Sequence, residues 1–424
     1  MKLAVSVVAL FALAAVQDQR RTFRSGTDVV LIDVEVVTKD GLPIEGLKSD
    51  QFEVFIDGRR RTILSLEFLR ESTTMVKAKG ARTATPVATQ TPVTGEGRIF
   101  MLAIDQMSFP MTAQSSAREA AQRVVKGLAA DDRIGMMTLP GQVRIAPTRD
   151  RAAIDAGIRQ IAGLRGSLKS EKYSISAAEA SAIKSKDAQT MNDVYVRECE
   201  QRYLPVRDYQ GMSVCRQELN QESSALTISL EQQGMTSING LHDAIDAMSS
   251  IDGRKTLVFI SAGIPISRYA GGQPNLDHEL ARIGRRAAAA NVNLYVFYMN
   301  VHFLRYFSAE YGKQNHSIFE DVSMFGYGLE KFADIAGGSF AQIEVDADPV
   351  VDRMLRETSA YYLVAVPTEP SERDGKEHFI RLSVKERGAT VRHRKVVLIP
   401  KGISHGGTEV TEDFFGRSKK RLKD

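Results

Sequence analysis

Apolar residues in the middle of the chain form short runs that are separated by segments with helical periodicity. The runs Arg98–Asp105, Arg133–Thr138 and Lys255–Ser261 have the length and continuous apolar character of strands buried on both faces of a sheet. Thr112–Leu128 and Leu276–Ala290 place apolar residues at helical spacing between such runs. Repeated β-α-β units build a mostly parallel sheet with helices on both faces, so we predict a doubly wound α/β fold.

The same alternation predicts one α/β domain over residues 98–368. It continues with a hairpin strand at Gly141–Ala146, with helices at Ala152–Leu164, Gly240–Ile251, Leu329–Ala336 and Asp348–Ser359, and with strands at Val292–Tyr298, Gly338–Ile343 and Tyr361–Val366.

Strands with alternating residues flank the domain on both sides. Val29–Val37 and Phe52–Ile56 lie in a predicted N-terminal β element at 27–70, and a C-terminal β element is predicted at 376–400. A few strands joined by tight turns cannot bury a core alone. We therefore predict that the two elements pair into one β-sandwich, into which the α/β domain is inserted.

Residues 166–233 do not fit the alternation, because they are polar and rich in Ser, Ala, Gln, Glu and Lys. Ala177–Arg202 and Ser213–Glu231 have helical character, so we predict a helical insertion. The two cysteines of the chain, Cys199 and Cys215, predict one disulfide in an oxidising compartment. Two free thiols are the alternative for the pair, and a decorative or partly disordered excursion is the alternative for the insertion.

The N-terminal residues have the layout of a secretory signal peptide. A positive start precedes the apolar run Leu3–Val16, which is too short to span a bilayer and contains the small-residue cleavage pattern Ala12-Leu-Ala14. We predict a signal peptide at 1–16 and a periplasmic or secreted protein without a later membrane span; a frayed N-terminal helix or an uncleaved anchor is the alternative. Residues 71–97 are predicted to be a linker and 401–424 a polar tail.

Charge and composition narrow the classes of partner. The chain is 43% apolar and 25% charged, and its net charge of +4 is spread along the sequence. A nucleic-acid binder usually carries a basic face or stripe. The cluster Arg417–Lys423 is more simply interpreted as a solvated terminal run, so we predict no nucleic-acid partner.

Polar residues lie at the predicted carboxyl ends of strands, where an open parallel sheet has its binding crevice. They are Asp105, the predicted turn at 234–240 and Ser261–Gly263. Asp105 after the first strand, Gly234-Met-Thr-Ser-Ile-Asn-Gly240 before a helix, and Leu257–Pro265 together resemble a von Willebrand factor A (VWA) domain. The resemblance implies a VWA/Rossmann-like fold and a role in binding other proteins.

The flanking segments also resemble one group within this family. Val34–Gly58 is similar to the N-terminal element of the VWA-related proteins abundant in Acidobacteria. Ser359–Val364, Phe379–Val384 and Val391–Lys395 are similar to the closing segment of those proteins. The resemblance covers nearly the whole mature chain except the insertion and the tail.

Many VWA domains have a metal-ion-dependent adhesion site, and the resemblance implies where its ligands would stand. Asp105 fits the first ligand and Thr236 the threonine from a middle loop. Ser108 is one residue out of register with the expected serines, so its hydroxyl is expected to point elsewhere. These three residues are the candidate metal site, which we predict to be degenerate.

The sequence departs from the family pattern at the remaining ligands. Met107 and Phe109 occupy the serine positions, and Ala262 stands where a second aspartate is expected. Mg²⁺ requires a near-octahedral shell of oxygens, and one carboxylate with one hydroxyl supplies too few. We predict no cofactor; Mg²⁺ or another divalent cation is the alternative.

A serine hydrolase is a weaker alternative. Ser261 follows a strand, but a nucleophile elbow needs Gly-x-Ser-x-Gly and Phe259 replaces its first glycine. The histidines that could neighbour Ser261 in space are His242, His278, His302 and His316. The prediction is therefore a non-enzymatic protein-binding module of adhesion or scaffold type, with a metal-dependent adhesion receptor as the alternative.

Overall fold

The computed structural model describes residues 29–71, 97–166, 172–251, 253–301, 318–344 and 346–401. The predicted signal peptide at 1–16 and most of the predicted linker and tail lie outside these residues. The described strands are β1 (Val29–Val37), β2 (Phe52–Ile56), β3 (Arg59–Arg61), β4 (Ser65–Arg70), β5 (Ile99–Asp105), β6 (Arg133–Leu139), β7 (Arg144–Thr148), β8 (Lys255–Ser261), β9 (Val292–Met299), β10 (Ser339–Ile343), β11 (Ala360–Pro367), β12 (Glu377–Val384), β13 (Thr390–His393) and β14 (Val396–Leu398). The described helices of eight or more residues are α1 (Gln114–Gly127), α2 (Arg151–Arg159), α3 (Ala177–Lys184), α4 (Ala188–Tyr195), α5 (Tyr209–Ser249), α6 (Asp277–Ala289), α7 (Ile318–Ala336) and α8 (Asp348–Glu357).

A six-stranded sheet in the order β10-β9-β8-β5-β6-β7 forms the centre of the molecule. Its strands are parallel except β7, which pairs with β6 as an antiparallel hairpin partner. The chain builds outward from β5 to one edge through β6 and β7, and then to the other edge through β8, β9 and β10, which is the doubly wound order. The predicted fold class is confirmed, and the order reverses between β5 and β8.

Helices cover both faces of this sheet because its strands are apolar on both sides. Along β5, Phe100, Leu102 and Ile104 pack in the core under α1, α2 and α8. Met101 and Ala103 point to the other face, where they join the core under α5, α6 and α7. A continuous apolar strand is the sequence signature of this double burial.

Two four-stranded antiparallel sheets form the predicted sandwich, with the orders β13-β1-β11-β4 and β14-β12-β2-β3. Each sheet combines strands from both ends of the described chain, so the α/β domain is inserted into the sandwich. Within the predicted C-terminal β element at 376–400, we expected one continuous strand at 390–399, and this is wrong. The chain is interrupted at Arg394 and Lys395, and the two strands on either side, β13 and β14, pair with β1 and β12 in different sheets.

Buried charges join the sandwich to the central sheet. Arg254, just before β8, forms ion pairs with Glu35 of β1 and, at 3.4 Å, with Glu71. Glu35 also accepts hydrogen bonds from Asn293 at 2.6 Å and from the hydroxyl of Tyr295 at 3.3 Å, both on β9. Burial raises the pKa of Glu35, and the positive charge of Arg254 opposes that rise. Removing one partner would leave an unpaired buried charge, so this network holds the two units in one arrangement.

Helix α5 contradicts the prediction of a turn at 234–240, since it continues without a break through these residues. A Cβ added at Gly234 would lie 2.3 Å from Leu276 Cδ1, and one at Gly240 would lie 2.7 Å from Leu139 Cβ. These glycines therefore allow the helix to pack closely on its neighbours and do not form a turn. The predicted insertion boundary at 233 also falls inside the helix. No helix among the described residues, α5 included, is both long and apolar enough to cross a membrane.

The first helix predicted in the insertion, Ala177–Arg202, is interrupted. It ends after α3, where Lys186 adopts a left-handed backbone with φ 61°, and Asp187 caps α4 by accepting a hydrogen bond from the backbone amide of Thr190. A π-helical segment at Val196–Glu200 follows α4. Local capping chemistry, which competes with helix continuation, explains the break.

Candidate functional site

The switch point of the sheet lies between the ends of β5 and β8, where a doubly wound fold places its crevice. Asp105 ends β5 and Ser261 ends β8, and both are fully buried. A single 3₁₀ turn, Gln106–Ser108, continues directly from Asp105. The chain thus brings a carboxylate and several hydroxyls together at the place that the sequence pattern indicated.

Two serine hydroxyls donate hydrogen bonds to the carboxylate of Asp105. The hydroxyl of Ser237 donates to Oδ1 at 2.9 Å, and the hydroxyl of Ser261 donates to Oδ2 at 2.8 Å. Burial raises the pKa of Asp105 to about 6, although these hydrogen bonds and backbone amides of the following turn favour the charged form. Both oxygens are therefore committed to partners within the protein.

The hydroxyl of Ser108 serves the backbone. It donates to the carbonyl oxygen of Asp105 at 2.7 Å and accepts a hydrogen bond from the amide of Ala262 at 2.7 Å. It thereby ties the turn after β5 to the residue after β8. The Ser108 hydroxyl therefore points away from the expected ligand position, as predicted from its position one residue out of register in the sequence.

Thr236 lies on α5, one position away from the residue that reaches Asp105. Its hydroxyl donates to the carbonyl of Gln232 in the preceding turn at 2.9 Å. The assignment of Thr236 to a crevice loop is thus wrong, because the segment is helical and Ser237 faces inward. The signal for Ser237 is helical spacing, since it falls on the buried face with Leu230, Gly234 and Leu241.

These residues do not fit Mg²⁺. A hard divalent cation needs about six oxygens, whereas the switch point offers one carboxylate, already accepting from two serines, and has Ala262 in place of a second acid. Within the described parts of the chain, no group of three or more His, Cys, Asp or Glu residues is arranged to hold a metal. Hydrogen bonds between side chains fill the predicted metal position at Asp105.

Ser261 is held as a hydrogen-bond donor to Asp105 and accepts a bond from the amide of Gly263 at 3.1 Å. Among the residues that the structure describes, no histidine hydrogen-bonds to its hydroxyl. His302 and His316 lie outside those residues. The described surroundings of Ser261 therefore supply a carboxylate but not the imidazole that a serine nucleophile uses as its base.

An open groove lies between the helices of the insertion and the loop after β8, and we call it the insertion groove. It has a volume of about 910 Å³ and is formed by α3, α4, the π-helical segment, the loop after β8 and the start of α7. Residues lining it include Ala178, Thr190, Asn192, Gln201, Tyr269 and Met324. Clefts of this size hold ligands or peptide segments in other proteins.

Ion pairs fix the walls of the insertion groove. Arg197 donates to both carboxylate oxygens of Glu179, at 2.8 and 3.0 Å, and also to Glu198 at 2.8 Å. On the α7 side, Asp321 accepts from the amide of Ala178 at 2.8 Å, and burial raises the pKa of Asp321 to about 6. The contact between Asp321 and Ala178 fixes α3 against α7, and the ion pairs of Arg197 fix the position of the opposite wall of the groove.

The predicted pairing of Cys199 with Cys215 is confirmed. Their Cα atoms are 5.8 Å apart, and both side chains are buried in a small apolar core with Leu219 and Val194. Because Cys199 lies in the π-helical segment and Cys215 in α5, the disulfide ties one wall of the insertion groove to the long helix.

No family model matches the chain, and none of the curated proteins matches it either. The crystal structure of the SpRpn10 VWA domain is similar over 61% of this chain and 93% of that domain, with 12% identity and a TM-score of 0.29. A likeness at this level supports no argument, so the fold class rests on the strand order described above.

Proposed function

We propose that the protein is an exported, non-enzymatic module that binds a partner protein through the insertion groove and not through a metal at the switch point. The observation that carries the proposal is the contrast at the carboxyl edge of the sheet. Ser237 and Ser261 donate hydrogen bonds to both oxygens of Asp105, whereas the insertion groove is open. The sequence resemblance to VWA proteins supports a binding role.

Export and the absence of catalysis are parts of this proposal. The signal-like N-terminus and a buried disulfide both suit a chain that matures in an oxidising compartment. The bonding of Ser261 to Asp105 suits a structural serine better than a nucleophile.

The lining of the insertion groove suits an extended segment of a partner protein. Thr190, Asn192 and Gln201 offer both donors and acceptors for a peptide backbone, while Tyr269 and Val196 offer apolar contact. A peptide in extended form satisfies its backbone groups on such a mixed surface while its side chains fill the apolar parts.

Selection of peptides tests this proposal. A random-peptide phage library is panned on the wild-type chain, and the enriched peptides are measured against Ala178→Trp, which fills the groove, and Ala152→Trp, which adds the same side chain on exposed α2. We expect Ala178→Trp to weaken binding at least about tenfold, because a peptide excluded from part of the groove forfeits about 1.4 kcal/mol or more of binding free energy. Ala152→Trp should bind as the wild type does. Peptides that bind Ala178→Trp unchanged would contradict the groove as the binding site.

A further inference from the structure

The far end of the insertion exposes a cluster of apolar side chains, which we call the tip (residues 202–209 with Val214). Leu204, Val206, Tyr209 and Val214 are 48%, 72%, 67% and 46% exposed. Single exposed apolar residues are ordinary on protein surfaces, but a cluster within a short stretch of chain marks a contact surface. The tip is separate from the insertion groove, since none of these four residues lines it.

The tip is held rigidly. Leu204–Val206 forms a 3₁₀ turn that ends at Arg207, whose backbone is left-handed with φ 55°. Asp208 then caps α5 by accepting from the amide of Gly211 at 2.8 Å. The disulfide lies immediately behind the turn. A surface that is ordered before contact loses less conformational entropy when it binds.

Helix α5 carries the tip far from the sheet. Ser237, which bonds to Asp105, and Tyr209, the first residue of α5, are 28 positions apart in one continuous helix. At a rise of 1.5 Å per residue this corresponds to about 40 Å. The tip can therefore meet a surface that the central sheet does not touch.

Three arginines lie close in sequence to the apolar residues of the tip. Arg202, Arg207 and Arg216 are exposed, and within the described residues none of them has a carboxylate partner. Arg216 lies over the ring of Tyr195, 4.0 Å from its centroid, and Arg202 lies 6.0 Å from the ring of Tyr203. The nearby acids are Glu200, two residues before Arg202, and Asp208, which caps α5.

We infer that the tip docks on an anionic phospholipid surface. Aliphatic side chains and tyrosine at the end of a projection enter the interfacial region of a bilayer, and the surrounding arginines bind lipid phosphates. The combination of widely exposed apolar side chains with unpaired arginines matches the two layers of such a surface, its acyl boundary and its charged headgroups. The inference is independent of the proposed function, because the groove and the tip are different surfaces.

Tryptophan fluorescence tests the inference, because the natural chain contains no tryptophan. Val206→Trp places a single reporter at the tip, and Ile228→Trp places one at an exposed position of α5 away from it. We expect the emission of Val206→Trp to shift to shorter wavelength on phosphatidylglycerol/phosphatidylcholine vesicles at low salt and to stay unchanged on phosphatidylcholine alone. Ile228→Trp should not shift on either. An unshifted Val206→Trp on the anionic vesicles would overturn the inference and leave a protein as the partner of the tip.

Vesicle co-sedimentation of the full mature chain gives a second measurement. Arg202→Gln with Arg207→Gln should lower the bound fraction on anionic vesicles at least about tenfold, and Leu204→Ser with Val206→Ser should lower it similarly, since each pair removes one of the two attractions. Ile228→Ser is the matched control and should bind as the wild type does. Thermal melting of each variant verifies that it is folded. Equal sedimentation of folded wild-type and tip variants would contradict the inference.

Discussion

The switch point and the insertion groove both include chain that follows the carboxyl ends of parallel strands, yet they are built in opposite ways. At the switch point every oxygen of Asp105 and the hydroxyls of Ser108, Ser237 and Ser261 have partners inside the protein. The groove presents its polar side chains to an open space. A doubly wound sheet can thus fill its crevice with internal hydrogen bonds while an inserted element forms an open groove elsewhere.

The closure of the switch point follows from the length of α5. A helix that began near residue 240, as predicted, would leave the crevice open above Asp105. The observed helix begins at Tyr209 and passes over the crevice, which brings Ser237 to the carboxylate. The N-terminal part of the same helix extends away from the sheet and carries Cys215 of the disulfide and the tip. One helix therefore both covers the switch point and supports the tip.

The largest expected effect comes from trying to restore a metal ligand at the switch point. Ala262→Asp should lower the free energy of unfolding by about 3–5 kcal/mol, because position 262 is fully buried and the new charge has no partner there. Urea unfolding measures the loss, and Ala262→Asn is the control for size without charge. If Ala262→Asp were as stable as Ala262→Asn and bound Mg²⁺, the switch point would be an open site.

A titration of stability against pH should report the buried carboxylate of Asp105. The pKa of Asp105 rises from 3.8 to about 6 on folding, so folding favours the protonated carboxyl. Its contribution to the free energy of unfolding is therefore complete below about pH 4 and is lost as the pH rises through about 6. The loss amounts to about 3 kcal/mol over about two pH units. Because other groups titrate as well, the quantity to measure is the difference in unfolding free energy between wild type and Asp105→Asn. A difference that stays constant from about pH 4 to about 7.5 would show that the carboxylate is not buried as described.

Removal of the disulfide should loosen the insertion and spare the sheet. Cys199→Ser with Cys215→Ser is expected to cost about 3 kcal/mol in the chain-entropy treatment of a loop of this length. Hydrogen exchange should show faster exchange at Val196–Glu200 and in the first turns of α5, with β5 and β8 protected as before. Faster exchange throughout the central sheet would mean that the two regions unfold together.

The smallest effect distinguishes two adjacent residues. Ser237→Ala should lower the unfolding free energy by about 1.5–3 kcal/mol near neutral pH, since it removes a hydrogen bond to a buried charged group. Thr236→Ala is the matched control and should change it by less than about 0.5 kcal/mol, because its hydroxyl bonds only to the preceding turn. Thermal or urea unfolding measures both, and the reverse order would restore Thr236 as the crevice residue.

Sequence patterns predicted the architecture because the order of apolar and polar residues in a strand shows whether one or both of its faces are buried. Continuous apolar runs marked β5 and β8 as central strands, and alternation marked β1, β2 and β12 as sandwich strands. Asp105 was placed correctly because a strand end fixes its position.

The path of α5 could not be predicted in the same way. Gly234 and Gly240 within a run of Thr, Ser and Asn are typical of a turn. Their actual role, close packing against Leu276 and Leu139, depends on contacts between residues far apart in sequence. The assignment of Thr236 in place of Ser237 to the crevice follows from the same error. The insertion groove likewise depends on α3 meeting α7, which no local pattern contains.

The most direct test of the central claim is the affinity of a groove-selected peptide, measured by calorimetry in Mg²⁺ and in EDTA. We expect equal affinity in both solutions, an unchanged affinity in Asp105→Asn, and an affinity at least about tenfold weaker in Ala178→Trp. Binding that requires Mg²⁺, disappears in Asp105→Asn and survives in Ala178→Trp would contradict the account and place the function at the switch point.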